Sequence, residues 1–422
     1  MNYDIDKLIN NKTYTYDELK FIIDGFMNGS INDEKMTLWL RRVCKKTLSI
    51  EETINLTDIY VNSGEKLDLS LLKRPTVDKH STGGIGDKVS IIVGPIVAAL
   101  GIAVPKMSGR GLGYTGGTID KLESIDGYRT SLTKEEFLNE LQTINMSIIS
   151  QTESITPADK KTYALRDVTN TVESISLIAA SVMSKKIAVG ADAIVIDLKV
   201  GKGAFMKKLK EAKELAKYIT KIGEYYKKRV KIVITSMDRP LGRCVGNNLE
   251  ILEAMEFFDN KWSKDLGEVV LTIAAEMVKC AKNIPYEEAM KQVRGTISDG
   301  SARSKFYQWI AFQGGDIKTV IKPCKRFVIK SNKKGYIKDI DALSIGSLVR
   351  DLGGGRKKKE DGIDHAVGVK LLKDIGDHVD LEEAIAEIYL NEVIPDIESR
   401  ALSSFKISAF KVKPKSTILM IL

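Results

Sequence analysis

Apolar residues recur at helical spacing through the first 65 positions. YDELKFIIDGFMNG, DEKMTLWLRRVCKK and IEETINLTDIYVNSG each carry them at intervals of three and four and close near a glycine or a basic residue. These segments predict a small all-helical unit. At Lys73 the texture changes: VSIIVGPIVAALGIAVPKMSGRG consists of short apolar runs broken by Gly and Pro, which predicts buried parallel strands alternating with helices. TVESISLIAASVMSKK predicts one helix, with Asn170 and Glu173 spaced as a capping box. GADAIVIDLKVGKGAF predicts a turn and a fully apolar strand, and RVKIVITSMDRPLG a second strand running into a loop. From about residue 325, CKRFVIKSNKKGYIKDID, HAVGVKLLKDIGDHVD and IAEIYLNE predict short strands joined by tight turns. The predicted fold class is α/β, with a helical domain in front, a mixed or parallel sheet in the middle and a small C-terminal α+β domain.

Composition narrows the class. The 422 residues, 43% hydrophobic and 29% charged, suit a globular chain of two or three domains, since single cores stop growing at roughly 250–300 residues. No apolar run reaches the ~18–20 residues that span a bilayer. MNYDIDKLINNKTYTYDELK carries charges where a signal peptide needs an apolar core. No membrane association and a cytoplasmic location are therefore expected. Cys44, Cys244, Cys280 and Cys324 form no Cys-x-x-Cys pair, and His80, His365 and His378 are scattered, so no structural zinc is expected. The net charge is +9, but the lysines are spread among 56 acidic residues, and aromatic residues are largely absent from the lysine runs. No nucleic-acid partner is expected. The one dense basic run, RKKKEDG at 356–362, reads as a solvated loop.

Three segments carry candidate chemistry. VDKHSTGGIGDKVS (77–90) sets His80 between Lys79 and Ser81, ahead of a glycine run. A Walker-type phosphate loop would need Gly-Lys-Ser/Thr, whereas Gly86 is followed by Asp87, Lys88 and Val89. KMSGRGLGYTGGTIDKLES (106–124) places Gly109, Gly111, Gly113, Gly116 and Gly117 among Ser108, Arg110, Thr115 and Thr118. Glycines let a backbone turn tightly and present successive N–H groups to an anion. Gly111, Gly113 and Gly116 satisfy G-x-G-x-x-G, yet TIDKLESIDG supplies barely two helical turns where a dinucleotide site needs a long helix. Lys79, Ser81, Ser108 and Thr118 can converge on one phosphate. Neither loop holds an Asp/Glu cluster for magnesium, so free phosphate or a phosphoribosyl group fits better than phosphoryl transfer. In the third segment Tyr163 and Arg166 are three apart, and Ser181 and Lys185 four apart, so each pair can share a helix face. Given a phosphate site, they become candidates for holding a polar planar ligand.

Together DKHSTGGIGDK, SGRGLGYTGGTIDKLES and YALRDVTNTVESISLIAASVMSKK, with FQGGD near 312 and DLGGGR near 351, resemble the pyrimidine-nucleoside phosphorylase family, which includes the thymidine phosphorylases. The resemblance covers nearly the whole chain. It implies a discontinuous helical domain (1–65 and 158–189), an α/β phosphate-binding domain (73–150 and 192–325), a C-terminal α+β domain (330–422), and a homodimer formed through the helical domain. The implied reaction is reversible phosphorolysis of uridine, thymidine and deoxyuridine to the free base and a (deoxy)ribose 1-phosphate. Inorganic phosphate is the co-substrate, and no organic cofactor is implied. By motif position Lys79, Ser81, Ser90, Ser108 and Thr118 bind phosphate. Tyr163, Arg166, Ser181 and Lys185 hold the pyrimidine, and His80 lies near its 2-oxo group. His80, Arg166 and Lys185 are the implied catalytic residues: two cations can stabilise a departing pyrimidinide, and an imidazole can supply a proton near neutrality. Lys106, just before MSGRG, points to relatives that accept uridine as well as thymidine; it would face the ribose side of the site or be a surface charge. A strict thymidine phosphorylase and, more distantly, a phosphoribosyltransferase of related fold are the competing readings. The latter would need acidic metal ligands for a pyrophosphate.

The chain departs from the family pattern at three places. Tyr114 stands where a histidine is usual. The resemblance implies a potassium ion held by main-chain carbonyls at Gly86, Lys88, Leu241 and Cys244 and by Glu253, but Lys88 replaces the usual threonine and Cys244 the usual alanine. Carbonyl ligands survive side-chain changes, whereas a lysine ammonium competes with a cation for the same oxygens.

Overall fold

The structure is a computed structural model and describes residues 3–111, 113–114, 116–319, 325–358 and 360–422. Four helices open the chain: α1 (Ile5–Leu8), α2 (Tyr16–Asn28), α3 (Asp33–Lys45) and α4 (Ile50–Asn62). The elements β1 (Val77–Ser81), α5 (Val89–Ala99), β2 (Val104–Ser108), α6 (Thr118–Leu122), α7 (Lys134–Ile144) and β3 (Met146–Ser150) follow. Next come α8 (Pro157–Val168), α9 (Ile175–Val189), β4 (Ala193–Val200), α10 (Leu209–Tyr225), β5 (Arg229–Ser236) and β6 (Cys244–Val245). A run of helices, α11 (Asn247–Phe258), α12 (Lys264–Lys282), α13 (Tyr286–Ser298) and α14 (Ser301–Phe312), leads to the C-terminal part. There β7 (Lys325–Lys330), β8 (Gly335–Ile340), α15 (Ala342–Val349), β9 (Gly368–Leu371), β10 (His378–Val379) and β11 (Ala384–Leu390) precede α16 (Ile397–Ser403), β12 (Phe405–Ser408) and β13 (Ile418–Ile421).

The chain divides into two compact units. The first comprises residues 1–73, 151–194 and 209–231. Its helices start where the sequence supplies caps: Thr15 with Glu18, and Ser49 with Glu52, bond reciprocally at the N-termini of α2 and α4. Their apolar stripes close one core containing Leu19, Ile22, Phe26, Trp39, Leu40, Leu56, Leu177 and Ala180. Helix α10 belongs to this unit, although the sequence boundaries place residues 209–225 in the α/β domain. The reason is packing: α10 lies against α4 and α9, buries Leu215, Ile219 and Ile222, and sets the Tyr218 hydroxyl 2.8 Å from the Leu48 carbonyl. Each such apolar side chain contributes about 1.5–3 kcal/mol. Helix α9 begins only at Ile175, so the expected capping box at Asn170 and Glu173 does not form; Asn170 instead turns the chain in the left-handed region (φ 54).

The second unit comprises residues 74–150, 195–208 and 232–422. β2 and β3 pair in parallel, and a parallel bridge between Thr76 and Ala103 sets β1 beside β2. On its other side β1 neighbours β4, which is followed in the sheet by β5 and by β13 as an antiparallel edge. The strand order therefore reverses direction at β1, between β2 and β4, which in open α/β sheets is where ligands collect. The apolar run at 89–99 is helix α5, buried on every side and containing Pro95, while the strand of that segment is confined to 104–108. An apolar run that is buried all round has no periodicity to separate helix from strand. β4 is buried throughout, yet it is not fully apolar, since it carries Asp197 and Lys199. The C-terminal strands form an antiparallel sheet, β6-β9-β11-β7, and a three-stranded sheet, β10-β8-β12. The five-residue α6 agrees with the short helix expected after the glycine-rich loop.

Candidate functional site

In the second unit the strand ends at the reversal point gather charged residues that an apolar interior tolerates only when they are paired. Lys79 on β1 is fully buried; its Nζ lies 3.2 Å from Ser90 Oγ and 3.2 Å from Asp197 Oδ2. Ser81, two residues on and thus on the same strand face, bonds Asp87 through its hydroxyl and accepts the Gly83 N–H at 3.2 Å. Asp197 also accepts from the Thr235 hydroxyl at 2.8 Å and lies 2.8 Å from Lys199 Nζ. Lys199 reaches Asp87 at 3.8 Å. Burial alone would raise the Asp87 carboxyl, but the Lys199, Lys79 and Lys121 ammoniums overcome it and hold the group well below the usual carboxylate range. Lys121, on α6, donates to the Asp87 carbonyl at 2.9 Å and pairs with Glu250 at 2.9 Å. Lys79, Ser81 and Ser90 are thus brought together on one buried ionic lattice. Within it the Lys199 Nζ lacks a well-aligned hydrogen-bond acceptor.

The remaining candidates of this unit divide. His80 is half-buried on β1, on the strand face opposite Lys79 and Ser81. Ser108 is half-buried at the end of β2, and Thr118, also half-buried, opens α6. Lys106 is no surface charge: it is 3% exposed and donates to the Lys79 carbonyl at 2.9 Å. Within the glycine-rich loop the N–H of Gly111 goes to Asp120 (2.6 Å) and that of Gly113 to the Arg356 carbonyl (2.9 Å), so these two face protein acceptors and not an anion. Thr115 lies outside the described residues. Tyr114 has the Lys207 ammonium 5.9 Å from its ring centre. Arg356, expected in a solvated run, is mostly buried and reaches Asp120 at 2.8 Å and the Gly111 carbonyl at 3.2 Å. A cavity of about 200 Å³ lined by Ser236, Arg239, Lys338 and Lys415 holds none of the phosphate or base candidates.

In the first unit α8 and α9 bring Tyr163, Arg166, Ser181 and Lys185 together. The Arg166 side chain is buried, and three of its N–H groups bind main-chain carbonyls: Thr171 at 3.2 Å, Leu177 at 3.3 Å and Val172 at 2.9 Å. It therefore pins the turn that delays the start of α9, and it lies 5.7 Å from the centre of the exposed Tyr163 ring. Lys185 pairs with the buried Asp159 and donates to Ser181 Oγ and to the Ser181 carbonyl, both at 3.0 Å. Asp159 was not singled out in the sequence, nor were Asp197, Lys199, Lys121 and Glu250. For Asp197 and Lys199 a signal existed: two opposite charges spaced by two inside an otherwise apolar strand.

The groups implied for potassium also lie in the second unit, and they do not fit a free ion as they stand. Lys88 is fully buried, and its Nζ lies 2.8 Å from the Leu241 carbonyl, 3.1 Å from the Cys244 carbonyl and 2.6 Å from Glu253 Oε2. The Gly86 carbonyl accepts the Lys88 N–H at 3.0 Å. Burial pushes the Cys244 thiol up, so it stays protonated, and the residue contributes its carbonyl.

Comparison with known proteins covers all three parts of the chain. Residues 5–64 match the glycosyl transferase family helical bundle domain, residues 73–303 the glycosyl transferase family a/b domain, and residues 336–408 the pyrimidine nucleoside phosphorylase C-terminal domain. The pyrimidine-nucleoside phosphorylase of Geobacillus stearothermophilus is 42% identical, with 98% of each chain covered. That of Bacillus subtilis strain 168 is 43% identical, with 97% of each covered. Among solved structures, anthranilate phosphoribosyltransferase from Thermus thermophilus superposes with a TM-score of 0.59 at 16% identity, covering 73% of this chain and 98% of its own, a likeness of fold.

Proposed function

Because the chain belongs to the pyrimidine-nucleoside phosphorylase family, we propose that it catalyses the reversible phosphorolysis of pyrimidine nucleosides, uridine as well as thymidine and deoxyuridine. The observation that carries this reading is identity at 42–43% with enzymes of that name along 97–98% of the chain. A phosphate oxygen attacks the anomeric carbon, the bond from that carbon to N1 breaks, and its electron pair leaves with the pyrimidine. The products are the free base and a pentose 1-phosphate.

In this reading Lys79, Ser81, Ser90, Ser108 and Thr118 bind phosphate. The Lys79–Ser90 contact and the Asp87–Asp197–Lys199 lattice around it support the assignment, because they hold an ammonium and hydroxyls rigidly at a strand reversal. Lys199 joins them as a cation with unsatisfied hydrogen-bonding capacity. Tyr163, Arg166, Ser181 and Lys185 bind the base. Arg166 and Lys185 stabilise the charge that grows on the leaving pyrimidine, as preorganised cations do most effectively where water is excluded. His80 donates to the 2-oxo group. Lys106, through its bond to the Lys79 carbonyl, fixes the strand that carries Lys79 and His80.

The homodimer is proposed through the helical unit, where exposed Met27, Leu38 and Tyr225 supply apolar surface. A cytoplasmic location is proposed as well. No helix among the described residues is long and apolar enough to cross a membrane, and Cys44 and Cys244 are free thiols. The chemistry calls for inorganic phosphate and no organic cofactor.

An ultraviolet assay of uridine, thymidine and deoxyuridine, with and without phosphate, tests the reading. Phosphate-dependent base release from all three is expected. Release that ignores phosphate would replace phosphorolysis by hydrolysis, and release from the deoxynucleosides alone would overturn the broad specificity.

A further inference from the structure

The loop that follows β5 folds back on the segment ahead of α5 and builds a small oxygen cage. The Leu241 and Cys244 carbonyls and Glu253 Oε2 converge on one point. Glu253 is fixed independently of that point, because its carboxylate accepts the N–H groups of Arg243 (2.6 Å) and Cys244 (2.9 Å). The cage closes tightly enough to exclude side chains at its rim. A Cβ on Gly242 would stand 2.6 and 2.8 Å from the Glu253 oxygens, and one on Gly86 2.6 Å from the Leu241 carbonyl; both residues also have positive φ, 77° and 73°.

The group at the centre is the Lys88 ammonium. Its three N–H donors meet three acceptors, so its hydrogen-bonding capacity is filled. Burial pulls the ammonium toward neutrality, and the Glu253 and Glu250 carboxylates more than reverse this, leaving its pKa above the ordinary lysine value. The three acceptors, two carbonyls and a carboxylate, match the three protons of an ammonium, so the cage holds the charged form. A second monovalent cation on the same oxygens would sit against a like charge with no solvent between them.

We propose that Lys88 is a tethered monovalent cation that takes the place of the potassium ion implied at this cage, so that the protein neither binds nor needs one there. The tether does what a bound ion would do mechanically. It cross-links the 86–88 segment to the 241–244 loop and to Glu253 on α11. Because Lys88 is the residue immediately before α5, it sets the position of Ser90, two residues on, whose hydroxyl meets Lys79. Lys88 is thus a positioning residue for the phosphate half of the site. That consequence rests on the phosphorylase reading; the occupancy of the cage does not.

The test compares the parent chain with Lys88→Thr and Lys88→Met in KCl, NaCl and choline chloride at equal ionic strength. Thermal melting and the phosphate KM are both measured. The parent is expected to melt within about 1 °C in all three salts and to show the same phosphate KM in each. Lys88→Thr leaves the oxygens in place without the ammonium. It is expected to melt lower in choline chloride, to recover saturably as KCl is added, and to regain its phosphate KM over the same range. Lys88→Met fills the cage with an apolar chain and is expected to stay destabilised in every salt. A parent that gains stability saturably with potassium overturns the proposal, as does a Lys88→Thr protein with no cation-specific recovery. If Lys88→Thr does not fold, the parent measurement alone still decides. Melting responses as expected in a protein without phosphorolytic activity would fault the functional reading and leave the tethered cation standing.

Discussion

Replacing Arg166 by methionine removes a guanidinium that serves the turn between α8 and α9 as well as the proposed base site. Methionine retains an apolar stem of similar length, so the perturbation falls on the three hydrogen bonds to Thr171, Val172 and Leu177. A buried carbonyl that loses its donor costs about 1–3 kcal/mol. The Val172 carbonyl carries the largest share of the loss. The Leu177 carbonyl lies within α9 and keeps its helical partner, and the Thr171 carbonyl also receives the Cys44 thiol at 3.5 Å. The summed loss is about 3–5 kcal/mol, which for a unit of this size lowers the melting temperature by roughly 10–20 °C. Calorimetric melting of R166M and R166K, with kcat and KM for uridine measured below the lower transition, checks it. R166M should melt in that lower range and lose at least about a hundredfold in kcat/KM, the scale of one lost transition-state contact. R166K should fall between R166M and the parent. A melting temperature for R166M within about 2 °C of the parent would refute the reasoning about the turn. Unchanged kcat/KM with lowered stability would remove Arg166 from the base site.

Glu140 on α7 is fully buried, and burial pushes its carboxyl up to about 8 against the pull of the Ser147 hydroxyl and Arg129. The folded protein keeps this proton while the unfolded chain releases it near 4.5. Glu140's contribution to stability should therefore be fully present below that lower value and fall by about 1.4 kcal/mol per pH unit up to about 8. Glu140→Gln should flatten that slope in melting curves taken between pH 5 and 8.5, and an unchanged slope would assign the pH dependence to other groups. His80→Ala should lower kcat more than it raises the phosphate KM, and Lys199→Met should do the reverse; the opposite pattern in steady-state kinetics would exchange their roles.

Many of the neighbours within the proposed site were legible because they lie close together along the chain. Lys79, Ser81 and Ser90 fall within one strand–loop–helix segment, and Tyr163, Arg166, Ser181 and Lys185 repeat at helical spacing on two consecutive helices. Local geometry alone sets such neighbours. Lys88 and Lys106 were not legible in this way. From the sequence Lys106 could equally face the ribose or the solvent, and only its burial against the Lys79 carbonyl decides. The Arg356 segment was misread for the same reason, since its partner Asp120 lies far away in the chain.

By itself the sequence determined the family, the N-terminal helices, the change to α/β texture at Lys73, the short C-terminal strands, and which residues are proposed to meet phosphate and pyrimidine. These depend on short-range pattern and on motifs whose members are near neighbours. Tertiary structure decided which unit α10 joins, that residues 89–99 are a helix, and what each lysine of the second unit does. A lysine's role follows from how much water it loses and which carboxylates and carbonyls replace that water. Lys88 finds its acceptor at Leu241 across 153 residues of chain, and no periodicity records that distance. The fold turns a residue that looked like a competitor for a cation into the cation itself.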